Sequence, residues 1–103
     1  MKQLMQFLGL MAGSKMRKSK LEKIMFALTD GKMVTMTRVR KEDDAVHQYS
    51  FKLYRTTSPK YQLQEYFCND CVNEEMSNIE EILVLCNWLL HLNFELNIID
   101  FKA

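Results

Sequence analysis

Apolar positions recur with a helical period from Ser77 to Leu92, SNIEEILVLCNWLLHL. Stepping roughly 100° per residue, Ile79, Ile82, Leu83, Cys86, Leu89 and Leu90 fall on one side, and Leu85 and Leu92 widen that side to about half the circumference. Glu80, Asn87 and His91 form a narrow polar stripe. Ser77 followed by Glu80 has the spacing of a capping box, and Glu80 and Glu81 place negative charge at the positive end of the helix dipole. The pattern predicts a helix over 77–92 lying across a sheet. Val84 and Trp88 are the exceptions: they sit beside the polar stripe, away from the centre of the apolar arc, and are candidates for contact with a partner or with a neighbouring segment.

The remaining elements follow from changes of period. Leu4, Phe7, Leu8 and Met11 lie at helical spacing in MKQLMQFLGLMA, with Gly13 as a stop, so a short N-terminal helix is expected, followed by a basic connector to about residue 20. From Leu21 the alternation reads as period two. Asp30-Gly31 is a strong hairpin signal, predicting a β-hairpin over 23–41 in which Leu28 faces Met33, Phe26 faces Thr35 and Ile24 faces Thr37. Strands are expected at 45–55 and 60–68, with Tyr49, Phe51, Leu53, Tyr61, Leu63 and Phe67 inward. Asn93 stops the helix, and Phe94–Phe101 reads as a fifth strand with a bulge or contacts on both faces. The expected architecture is one α+β domain, residues 1–103: a four-stranded antiparallel meander covered by one long helix.

Composition changes this picture little. A chain of 103 residues, 48% hydrophobic and 26% charged, buries roughly two-thirds of its unfolded surface as one domain and has no disordered or membrane-spanning signature. Three cysteines cannot all pair, which favours a reducing, cytoplasmic setting. Charge placement is more informative than the net +1. Residues 1–60 carry 9 Lys and 4 Arg against 5 acids, a net of +8, whereas residues 61–103 carry 1 Lys against 8 acids, a net of −7. Either the halves pair with each other in the fold or they present a basic and an acidic surface. Basic residues after the N-terminal apolar run could also favour an anionic membrane, but the run is short and docking within the protein is preferred.

Cys68 and Cys71 are weak zinc candidates. Cys86 and His91 as further ligands are disfavoured, because five residues on a helix separate side chains by about 140° and Cys86 occupies the middle of the apolar arc. Redox chemistry is disfavoured by acidic surroundings away from a helix start. His47 continues an inward strand row, His91 is on the polar stripe, and no motif groups a nucleophile with a base. The three glycines form no phosphate loop. No cofactor and no enzymatic activity are expected.

Two binding readings remain. The preferred one is a small regulatory module that binds a protein through Val84, Trp88, Glu74 and Glu75, as an inhibitor of phage or mobile-element type would, with a homodimer as a further option. The alternative is a single-stranded DNA or RNA binder whose outer sheet face gathers Arg38, Arg40, Lys52, Tyr54, Gln62, Gln64 and Tyr66, cations for phosphates and rings for bases.

Overall fold

Leu21, Ile24, Met25 and Leu28 recur at i, i+3, i+4 and i+7, and they form the buried side of a helix, α1 (Lys15–Thr29). The structure is a computed structural model describing residues 15–56 and 60–100. The apolar run expected to be helical at residues 1–12 lies outside those residues. The expected strand 23–29 is therefore helix, as is the expected connector from Lys15 onward. The apolar run Ile24–Leu28 satisfies either period, and only Leu21 distinguishes them.

Asp30-Gly31 closes this helix instead of turning a hairpin. Gly31 has φ +81°, its amide donates to the Leu28 carbonyl (3.2 Å) and the Lys32 amide donates to Ala27 (2.9 Å), a Schellman arrangement. A residue at positive φ serves a hairpin turn and a helix end equally well. Arg55 Nη1 donates to the Thr29 carbonyl (2.9 Å), placing a cation at the negative end of α1.

The chain continues through β1 (Met33–Glu42), β2 (Ala45–Arg55), β3 (Tyr61–Phe67) and β4 (Asp70–Ser77), then α2 (Ile79–His91) and β5 (Glu95–Ile99). A meander of four strands is present with altered membership: 23–29 is absent from it and 70–77, unpredicted, completes it. The sheet has five antiparallel strands in the order β4-β3-β2-β1-β5. Two-residue loops join β1 to β2 at Asp43-Asp44 and β3 to β4 at Cys68-Asn69, with Asp43 at φ 53° and Cys68 at φ 55°. β5 pairs with β1 in continuous register over 95–99, and a register shift lies in the β3–β4 pairing, between Glu65 and Tyr66. Because β5 pairs only with residues 33–37 and β3 only with 49–55, residues 38–48 form a two-stranded ribbon beyond the main sheet.

The second helix starts one residue later than the capping-box spacing implied. Asn78 is the N-cap: its Oδ1 accepts from the Glu81 amide (2.8 Å) and its Nδ2 donates to Glu81 Oε1 (3.2 Å). Ser77 is instead buried at the end of β4, opposite Tyr61. The helix ends as α1 does, with Asn93 at φ 65° donating to Leu90 (3.1 Å) and Phe94 donating to Leu89 (3.0 Å).

One core joins both helices to one sheet face. Leu21, Ile24 and Leu28 of α1 and Ile82, Leu83, Cys86 and Leu89 of α2 close over Val34, Met36, Leu53 and Leu63. The sheet is thus covered by a helix pair, not by a single helix. Asn87 Oδ1 is buried without a hydrogen-bond partner among the described residues.

Two substitutions test the helix ends. A methyl group at Gly31 meets open space, so Gly31→Ala pays only the left-handed backbone penalty, about 1–2 kcal/mol. It is expected to lower the urea midpoint with the slope unchanged. Asn78→Ala removes the cap of α2 and is expected to cost about 1 kcal/mol in the same assay.

Candidate functional site

The side of α2 facing away from the core carries its exposed apolar residues. Cys86 is fully buried and marks the centre of the buried arc. By helical geometry the opposite direction falls between Val84 and Trp88, which are 48% and 59% exposed. Glu80, Glu81 and His91 flank them, all exposed. The Trp88 and His91 rings lie 6.1 Å apart, tilted by 34°. Trp88 is thus held on a rigid helix whose other side is locked in the core. The expected partners Glu74 and Glu75 separate: register puts Glu75 on the helix-covered face, opposite Leu63, and Glu74 on the open face, opposite Gln64.

Strand register also divides the residues expected to bind nucleic acid. Arg38 and Arg40 share parity with Val34 and Met36, opposite Tyr49 and His47, and so lie on the helix side, out along the ribbon. Lys52, Tyr54, Gln62, Gln64 and Tyr66 occupy the other face. The error traces to the hairpin expected at 23–41, whose register set Arg38 beside Lys23 on the outer face. On the ribbon, Arg40 Nη2 pairs with Glu42 Oε1 (2.7 Å), and His47 and Tyr49 pack on Phe67 at 5.6 and 4.9 Å between centroids.

The open face is already organised by its own side chains. Lys52 Nζ sits 4.6 Å from the centroid of the Tyr66 ring, a cation–π seat that covers one ring face. Tyr66 Oη donates to Gln64 Oε1 (3.2 Å), and the Gln62 and Gln64 amides both donate to Glu74 Oε1 (2.9 and 3.0 Å). Partial burial, followed by the neighbouring Cys71 and Glu74, raises the Tyr66 phenol above its ordinary value. Glu74, unremarked as a strand residue in the sequence, is the acceptor at the centre of this face, so anionic ligands meet a carboxylate there.

An ion pair, Lys32 with Asp100, joins the basic half to the acidic half. Lys32 pairs with Asp30 and Asp100, both at 3.9 Å, while Lys18, Lys20, Lys23 and Lys41 make no ion pair among the described residues. Cations concentrate on α1, β1 and β2, and acids on β3, β4 and α2.

Cys68 and Cys71 lie exposed at the β3–β4 hairpin, whereas Cys86 is buried. Burial pushes the Cys86 thiol up to about 12. No three His, Cys, Asp or Glu side chains are grouped to hold a metal among the described residues, and no helix there is long and apolar enough to cross a membrane. A groove of about 510 Å³ between α1 and β5 is walled by Phe26, Ala27 and Ile98, with Lys23 and Lys32 among its lining residues. Phe26 was missed as a surface residue, although the helical period from Leu21 places it outside the buried set.

Thiol titration under native conditions is expected to modify Cys68 and Cys71 rapidly and Cys86 only on denaturation. The unfolded chain's thiol ionises first, near its ordinary value of 9.0, so the contribution of buried Cys86 to stability is complete below pH 9 and falls as pH rises towards 12. Alkaline unfolding midpoints check this. The chain matches no family model, and no curated protein or solved structure is significantly similar to it.

Proposed function

We propose that this chain is a non-enzymatic regulatory module that binds a protein partner through the outward side of α2. The observation that carries the reading is the exposure of Trp88 one helical turn from Val84, on the side opposite buried Cys86. Removing an indole and an isopropyl group from water is favourable, and Trp is enriched at the energetic centres of interfaces. Such a surface costs little entropy to present, because the helix beneath it is already ordered.

The flanking charges specify the partner's chemistry. Glu80 and Glu81 border the apolar pair at its N-terminal end, so the complementary surface is an apolar cleft with cations on that rim. An inhibitor of phage or mobile-element type would act in this way, occluding a surface of its target without chemistry of its own. The division of Arg38 and Arg40 from Lys52, Tyr54 and Tyr66 weighs against the single-stranded nucleic-acid reading.

Pull-down from nuclease-treated native cells tests the proposal. Wild-type protein is expected to recover a stoichiometric partner, and Trp88→Ala to weaken its binding roughly 30-fold, the equivalent of a 2 kcal/mol hot spot. Melting curves establish that the variant is folded. Equal capture by a folded Trp88→Ala or Val84→Asp protein would remove α2 from the interface.

A further inference from the structure

The two edges of the sheet are guarded differently. β4 carries Asp70, Glu74 and Glu75, and its pairing with β3 contains a bulge; charge and bulges are devices that keep an open edge from adding another strand. β5 has one acid, Glu95 at its first position, and neither Lys nor Pro. Ile98 and Ile99 project from its two faces, 40% and 48% exposed, and no strand lies along its outer side among the described residues. On the helix side this edge opens into the groove beside α1, where Phe26 is 61% exposed.

We propose that β5 is the seam of a two-fold homodimer, pairing antiparallel with β5 of a second copy to join the two sheets. The register of the strand with itself supports this occupant. Pairing along its full length sets Asn97 opposite Asn97 of the second copy, Leu96 opposite Ile98 and Glu95 opposite Ile99. The apolar pairs fall on the helix side, since Leu96 and Ile98 share parity with Met36 and Val34. The two carboxylates go to opposite ends, so no like charges face each other. Self-pairing of β4 along its full length would instead set Glu74 opposite Asn73 and Glu75 opposite Val72 near its centre, placing Glu74 of each copy diagonal to Glu75 of the other on one face. The two-fold axis stands perpendicular to the sheet and keeps both helix pairs on one face. The grooves beside each α1 therefore meet over the seam and cover Phe26 and Ile98.

This interface is independent of the Trp88 surface, and sedimentation separates them. Wild-type protein is expected at twice the mass of the chain, dissociating on dilution. Asn97→Asp, at an exposed position, sets two carboxylates across the seam; it is expected to weaken the dimer several-fold at pH 7, with recovery as pH falls through the carboxylate range. Ile98→Lys is expected to be monomeric, with circular dichroism confirming the fold, and Trp88→Asp to remain dimeric. Monomeric wild-type protein at every concentration, a dimer indifferent to Asn97→Asp, or a dimer lost in Trp88→Asp would overturn the proposal.

Discussion

The packing of α1 and α2 side by side on one sheet face governs the rest of the molecule. Each fully buried Leu or Ile contributes on the order of 1.5–3 kcal/mol, and Leu21, Ile24, Leu28, Leu53, Ile82 and Leu83 are all essentially inaccessible. The surface ion pairs contribute at most about 1 kcal/mol each, and the pairs of Lys32 are at 3.9 Å. Apolar contact between helices and sheet therefore sets the arrangement, and the charges follow it. Sharing the face between two helices leaves one side of each in water, which explains why both Trp88 on α2 and Phe26 on α1 are exposed.

That arrangement also determines the surfaces. Because α1 precedes the sheet and α2 follows most of it, the basic first half and the acidic second half occupy different elements, joined among the described residues by the Lys32–Asp100 pair. The result is a molecule with a cationic α1, β1 and β2, and acids concentrated on β3, β4 and α2. The open sheet face, by contrast, is satisfied internally through Lys52, Tyr66, Gln64, Gln62 and Glu74. Exposed apolar side chains lie on the outward side of α2 and along β5, as well as at Phe26, on the ribbon (Val39, Val46) and on β4 (Val72, Met76); the two proposed interfaces use the first two places separately.

Several features were legible in the residues. The arc of Ile82, Leu83, Cys86, Leu89 and Leu90, the outward position of Val84 and Trp88 and the inward rows of β2 and β3 follow from periodicity over lengths where only one period fits, and the stop at Asn93 follows from a residue that tolerates positive φ. The failures cluster where a local signal has two uses. Ile24 to Leu28 is apolar at every position and fits helix or strand, and Asp30-Gly31 specifies a backbone with positive φ without specifying what precedes it. Asp70–Ser77 was illegible as a strand because it is an edge: with Ser77 alone buried, no apolar alternation marks it.

The sequence by itself determined which faces of α2 and of the central strands are apolar, because that depends only on the spacing of side chains along one element. Only the tertiary structure decided that residues 15–29 form a helix, that Arg38 and Arg40 lie across the sheet from Lys52 and Tyr66, and that Glu74 and Glu75 face opposite ways. The place of Arg38 and Arg40 depends on register, where a shift of one residue reverses every side chain, whereas Glu74 and Glu75 diverge simply because 70–77 is a strand. Register is set by burial against elements distant in the chain.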